Sequence, residues 1–405
     1  MRSPYLHFSP EAKGFMKMEQ KYSLINNMDY ELMGGDARRA QHNSNPAAAG
    51  AVRFAPMADA DHARARRQGS GGPPMKRDAV VAATKRKARL PGFVAGMVLL
   101  LSVHLPSVTL AQDATDSVTG FAREPVHVAA WPGGKKVAVS FALFVEEFGF
   151  GQGPVYRPDM VTRNPDLVNE AFRQYAIDWG ISRVGRLFRE LNVPLTVVLN
   201  AEFPGNHAAV WKELRAAQPS APIVAHGMNN TSHMLPLGRG LAEQKAYVRH
   251  TLDMIAGATG VTPTGWSSPS VYSNGDTMQA IAAEGITYTL DRMDSDIIAR
   301  LKTPDGPLAL LPYPVVTVDM GQQLARLKSP TEIETLWLDY VSELAAEARA
   351  NPARGATTVV IGIHPFVVGT PDGAAAMRRV LVRLKKDDTV WLADTDAICK
   401  AAGLK

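Results

Sequence analysis

The chain holds one cysteine in 405 residues, Cys399, so an intrachain disulfide and a thiolate metal cluster are both excluded. That cysteine, close to the C-terminus, reads as a buried neutral residue rather than a nucleophile. No apolar run reaches the roughly 20 residues of a confident membrane span. No G-x-G-x-x-G follows the first strand and no Walker motif appears, which weakens the dehydrogenase and nucleotide-hydrolase readings. Positive charge is also missing where it would matter. The chain carries a net +5, yet residues 1–111 hold 16 Lys and Arg against 8 Asp and Glu, while 112–405 hold 28 against 31. The body has no basic excess to attract nucleic acid.

What is present begins with an export signal. Lys85-Arg86-Lys87-Ala88-Arg89 precedes the apolar run Gly92 to Val103, and Val108-Thr109-Leu110-Ala111 supplies small residues before a cleavage point. These are the three parts of a secretory signal, so cleavage after Ala111 is expected, with an uncleaved N-terminal anchor as the alternative. Residues 1–74 show no sustained apolar period and contain Gly-Ser-Gly-Gly-Pro-Pro at 69–74. They read as a disordered or mis-assigned extension, with translation expected to begin at Met75. The division is therefore 1–74 extension, 75–111 signal or anchor, and 112–405 a folded domain of an exported, periplasmic or secreted protein. Any membrane contact runs through the signal or anchor alone.

From residue 126 onward, short β-branched runs alternate with helical patterns. Strands are expected at 136–145, 194–200, 222–225, up to 266, 286–290, 308–312, 357–363 and 390–392. Helices are expected at 181–191, 207–217, 241–256, 276–284, 331–350, 374–386 and around Ala397. Apolar strands alternating with helices indicate an α/β fold with a parallel sheet covered on both faces. Seven or eight such units in about 290 residues fit a single distorted β/α barrel.

In such a barrel the active site lies at the C-terminal ends of the strands. Those ends carry Glu146-Glu147, Asn200, His226 with Asn229 and Asn230, Ser267-Ser268, Asp291 with Asp294, Tyr313 and His364. Carboxylates, imidazoles and amides thus converge on one face. A partly desolvated carboxylate there is expected to have a raised pKa and to act as general base. His364, held extended by the following proline, is a general-acid candidate. His207 and His250 fall in helical patterns and read as surface residues. The pair His226 and His233, seven positions apart, is either half a metal site or one active-site histidine and a loop bystander.

Five stretches together resemble the polysaccharide deacetylase family: W-P-G-G-K-K-V-A-V-S-F at 131–141, W-G-I-S-R-V-G-R-L at 179–187, the H-G-x-x-N-T loop at 226–231, T-G-W-x-S-P at 264–269 and I-H-P-F-V-V-G-T-P at 363–371. The likeness is closest to the subgroup of the bacterial allantoinase analogue and peptidoglycan deacetylase-like proteins, and it runs through 126–398. It implies a distorted barrel that hydrolyses an amide-type C–N bond.

In the family an Asp-Asp pair ends the first strand, one as base and one as metal ligand, and Glu146-Glu147 take that place. An H-x-x-x-H loop supplies the other two ligands; His226 matches the first, and Asn230 stands at the second. The late-strand acid matches His364, and the segment Trp266 to Pro269 replaces an arginine-proline motif that steadies the base. A divalent metal such as zinc is thereby left with Glu147 and His226 alone, short of the usual three protein ligands, and the cofactor stays open at this point.

The mechanism implied is attack of water on a carbonyl. Glu146 or Glu147 would be the base, His226 and the Asn230 amide would polarise the carbonyl oxygen, and His364 would protonate the departing nitrogen. Trp266, Ser268, Asp291 and Tyr313 would shape the substrate pocket, with the indole as a stacking surface for a sugar. The substrate expected is an N-acylated carbohydrate or another small amide or ureide. The rival reading is a barrel that binds carbohydrate without turning it over. An allantoinase proper fits the export signal poorly, because purine breakdown is usually cytosolic.

Overall fold

The computed structural model describes residues 114–231 and 239–404. The expected extension, the expected export signal and His233 all lie outside the described residues. Eleven strands form one sheet: β1 (Ala114–Thr115), β2 (Ala122–Pro125), β3 (Val137–Val145), β4 (Thr196–Leu199), β5 (Ile223–Ala225), β6 (Gly265–Trp266), β7 (Tyr288–Thr289), β8 (Ala299–Thr303), β9 (Gly306–Leu310), β10 (Thr357–Ile363) and β11 (Val390–Leu392). The principal helices are α1 (Leu167–Tyr175), α2 (Ile181–Glu190), α3 (Ala208–Ala217), α4 (Leu241–Thr259), α5 (Gly275–Ala283), α6 (Pro330–Ala350), α7 (Pro371–Lys386) and α8 (Thr395–Ala401).

Seven strands run parallel in the order β10-β3-β4-β5-β6-β7-β9. The ring closes where Val360 N–H in β10 donates to Pro312 O, just beyond β9, at 2.8 Å. This is the distorted β/α barrel that the alternating pattern leads one to expect. Its distortion is visible in the strand lengths, from nine residues in β3 to two in β6 and β7.

Residue alternation in β3 sets the two layers. Val137, Val139, Phe141, Leu143 and Val145 pack outward with Ile181, Val184 and Phe188 of α2 and Trp337 and Val341 of α6. Ala138, Ala142 and Phe144 face the interior with Val198, Val224, Leu290, Leu311 and Val360. Because side chains alternate with a period of two, Glu146 continues the inward series and Glu147 the outward one. Small residues on the inner face leave room for large ones opposite. A Cβ on Gly362 would lie 2.5 Å from the Tyr313 hydroxyl, so glycine there lets the Tyr313 ring cross the barrel.

The lower end is closed by α8. Thr196, Thr395 and Tyr288 share hydrogen bonds of 2.8–3.2 Å, and Tyr288 also donates to Asp396. Cys399 is fully buried in this interior cluster.

Three features depart from the sequence reading. β8 and β9 form an antiparallel hairpin that extends through β2 to β1, a flank the parallel pattern hid. β11 is no eighth stave in sequence order; it pairs with the first half of β3, below β4. Asp294 belongs to a surface ion network, within 2.9 Å of Arg123 and 2.6 Å of Arg292, and not to the strand-end cluster.

Candidate active site

Inward alternation delivers Phe144 and Glu146 from β3, Asn200 after β4, His226 after β5, and His364 after β10 to the same end of the barrel. Glu146 is the centre. Its side chain is 8% exposed, with Oε1 3.5 Å from His226 Nε2 and Oε2 4.0 Å from His364 Nε2. Asn230 Nδ2 donates to Oε1 at 2.5 Å. Beneath them Phe144 is an apolar floor, stacked on His364 at 4.7 Å and edge-on to His226 at 5.2 Å.

Each imidazole has a fixed orientation. His226 Nδ1 lies 2.7 Å from Ser267 O; a carbonyl can only accept, so Nδ1 carries a proton and Nε2 faces Glu146. His364 Nδ1 lies 2.6 Å from Asp319 Oδ1, while its backbone N–H donates to Asp319 Oδ2 at 2.7 Å. Asp319 is fully buried. It is a member of this cluster that the strand-end pattern does not include, and its signal is a lone carboxylate in the apolar run Val315-Val316-Thr317-Val318-Asp319-Met320.

The charges follow from these contacts. Burial pushes the Glu146 carboxyl up. The close imidazole of His226, the charge of His364 and the Asn230 amide together outweigh burial, and hold it below the usual glutamate value. This reverses the expectation of a raised base: two imidazoles beat desolvation. For His364, burial favours the neutral ring, but Asp319 and Glu146 overcome it and raise its pKa. Burial pushes Asp319 up, against the opposing pull of His364. Burial likewise pushes Asp291 up to about 6, despite its bonds from Ser268 and the charge of His226.

The two adjacent glutamates are separated in role. Glu147 turns outward to His207, with Oε2 2.9 Å from Nε2. His207 is therefore a partner of the strand-end carboxylate and not a plain surface residue. Asn200 ties the loops together: its Oδ1 accepts from Glu147 N–H at 2.8 Å, and its Nδ2 donates to His226 O and, at 3.3 Å, to Asn230 Oδ1. Asn229 donates to Glu202 at 2.9 Å. Gly227, at φ +65°, makes the turn; a Cβ there would meet the Tyr247 hydroxyl at 2.6 Å.

The residues expected to line a substrate pocket hold another place. Trp266 is fully buried in the outer core, and its Nε1 donates to Ser268 Oγ at 2.9 Å, so it offers no stacking face. Its two-residue strand is too short to tell inward from outward. Ser268, also fully buried, donates from N–H and Oγ to the two oxygens of Asp291, both at 2.6 Å. Tyr313 is buried and stacks on Phe144 at 6.0 Å. These four form the layer that supports the site. The Asn230 amide donates to Glu146 and accepts from Asn200, which ties it to the carboxylate at the centre of the site.

A metal does not fit the donors as they stand. Glu147 faces His207, His226 faces Glu146, and the Asn230 amide is bonded at both ends, so the family's ligand positions do not converge. Among the described residues no three His, Cys, Asp or Glu side chains form a metal-holding group. What the strand ends do present is buried polar atoms without a hydrogen-bond partner among the described residues, Glu146 Oε2, His226 Nε2 and Ser267 Oγ among them. Beside Glu146 lies a small cavity of about 20 Å³, lined by Arg173 and by apolar side chains that include Phe144, Phe148 and Phe366.

No protein-family model matches the sequence, and no curated protein matches it. Solved structures do. A probable polysaccharide deacetylase from Pseudomonas aeruginosa PAO1 is similar with a TM-score of 0.58 and 23% identity, over 68% of this chain and 94% of that one. The allantoinase PuuE is similar with a TM-score of 0.60 and 23% identity, over 72% of this chain and 97% of that one. The chain therefore has the barrel fold that a polysaccharide deacetylase and an allantoinase share.

Proposed function

We propose that this protein is a hydrolase of amide-type C–N bonds in the polysaccharide deacetylase superfamily, acting on an N-acylated carbohydrate. The observation that carries the reading is Glu146 held between two oriented imidazoles, one of them backed by a buried aspartate. Both shifts run in the working direction, Glu146 toward the ionised form and His364 toward the protonated one. Glu146 Oε2 takes a proton from water as the water attacks the carbonyl carbon. His226 Nε2, fixed by the Ser267 carbonyl, lies on the other carboxylate oxygen and borders the reacting group. His364 Nε2–H protonates the leaving nitrogen, and Asp319 keeps the ring turned for that transfer. No step is routed through a metal, because the donors do not converge.

The likeness to both a polysaccharide deacetylase and an allantoinase leaves two amide classes, sugar N-acyl and ureide. The export signal read at 75–111 favours the sugar, since glycan substrates lie outside the cytosol, and we take the protein to be exported. The dispersed metal donors favour the other reading, a barrel that binds carbohydrate without hydrolysis. Assay of the purified chain on N-acetylglucosamine oligomers and on small ureides, with and without chelator, separates the three. Release of acetate that resists chelator supports the proposal. Ureide turnover alone, or binding with no turnover under any metal condition, overturns it.

A further inference from the structure

His226 and His364 flank Glu146, and each imidazole has a buried carboxylate behind it. For His364 the carboxylate is in direct contact, with Asp319 Oδ1 2.6 Å from Nδ1. For His226 it stands one peptide group away. The Nδ1–H of the ring donates to Ser267 O at 2.7 Å. The N–H of Ser268, which belongs to the same peptide unit as that carbonyl, donates to Asp291 Oδ1 at 2.6 Å. Carboxylate, peptide and imidazole thus form one chain of hydrogen bonds, from Asp291 two residues beyond β7 to His226 directly after β5.

The peptide in the middle is held from both sides. Ser267 N–H donates to Ala225 O at 2.9 Å, which continues the pairing of β5 with β6, and Ser268 Oγ donates to Asp291 Oδ2 at 2.6 Å. Ser267 and Ser268 are fully buried, and Asp291 and His226 are 6% and 1% exposed, so bulk water does not compete for these bonds. In such surroundings the members of a hydrogen-bond chain polarise one another. A carboxylate that accepts the Ser268 N–H leaves more negative charge on the Ser267 oxygen, and that oxygen then holds the Nδ1 proton more firmly. The charge that faces Asp291 is that of His226.

We propose that Asp291 is a positioning residue for His226, acting through the Ser267–Ser268 peptide to keep the ring proton on Nδ1 and Nε2 turned to Glu146. The inference rests on the reaction proposed above and adds a residue to it. The two imidazoles then have different supports. Asp319 bonds His364 directly, whereas Asp291 fixes the tautomer of His226 without placing a carboxylate on the ring. A side chain that served only to join the ends of β6 and β7 would need an acceptor for the Ser268 N–H and no charge. The relay needs the charge.

The test compares the full chain with Asp291→Asn, whose side-chain oxygen can still accept from Ser268 N–H but carries no charge. Both proteins are read at about pH 7.5, where Asp291, pushed up by burial only to about 6, is ionised. The His226 Nδ1 proton is followed by NMR on protein carrying 15N-labelled histidine, and is assigned by its loss in His226→Gln. It is expected to move upfield in Asp291→Asn. On an N-acetylglucosamine oligomer, kcat is expected to fall about tenfold with KM within about twofold of the parent. An unmoved Nδ1 proton, or a kcat equal to that of the parent, overturns the relay. So does an equal loss when Asp291→Asn is added to His226→Gln, because the effect then does not pass through His226. Asp291→Ser, uncharged and smaller, gives the same comparison if the asparagine variant does not fold. If the parent hydrolyses no N-acetylated sugar, the reaction proposed above fails, and the Nδ1 proton alone decides the relay.

Discussion

His364 Nδ1 stands 2.6 Å from Asp319 Oδ1, and the same aspartate accepts the His364 backbone N–H at 2.7 Å. One carboxylate therefore fixes both the ring and the main chain of the residue proposed to protonate the leaving group. Neutralising it by Asp319→Asn removes the charge that raises His364. A general acid works below its pKa, so the rate falls as pH rises through that value. The basic limb of the kcat profile is expected to move to lower pH in Asp319→Asn, with kcat falling about a hundredfold. An unmoved limb contradicts the pairing.

Glu146 works in the opposite sense. A general base must be ionised, so activity is lost as pH falls through its pKa, and a depressed pKa extends activity into acid. Asn230→Ala removes one of the bonds that depress it. The acid limb of the profile is expected to rise in that variant. A limb that stays in place would mean that Asn230 does not set the charge of Glu146.

Asp291 makes stability depend on pH. Its folded pKa of about 6 lies above its ordinary value of 3.8. The folded state therefore binds the proton more tightly. Stability from this group is complete below pH about 4 and is lost as pH rises through about 6, amounting to about 3 kcal/mol. Denaturant unfolding of Asp291→Asn is expected to lack this fall between pH 4 and 6. The same slope in the variant would assign it to another group.

Trp266 is fully buried, so its substitution is expected to act on stability before substrate. Trp266→Ala is expected to lower stability by about 3–5 kcal/mol, as truncation of a large buried aromatic does. Trp266→Phe, which keeps most of the packing, should leave KM for a glycan within a few-fold of the parent. A large rise in KM in the stable variant would return the indole to the substrate.

Much of this was legible in the residues. Long apolar strands alternating with helices gave the barrel, and strand ends gave Glu146, His226, Asn200 and His364. Even the separation of the two glutamates was available, because Ala138, Ala142 and Phe144 share a parity with Glu146 and not with Glu147. The remainder was hidden for physical reasons. Two-residue strands carry no period, so Trp266 and Ser268 could not be assigned a face. Asp319 follows a single turn between β9 and α6, where no spacing marks it. The reversal of the Glu146 pKa came from two imidazoles contributed by strands 80 and 218 residues away in sequence, a meeting that only the closed barrel brings about.

The central claim is that Glu146, and not its neighbour, is the base. The most direct measurement is kcat for release of acetate from an N-acetylglucosamine oligomer by Glu146→Gln and Glu147→Gln, each with chelator present. The expected result is a loss of at least about a hundredfold for Glu146→Gln and less than about tenfold for Glu147→Gln. The reverse order, or activity that only added metal restores, would contradict it.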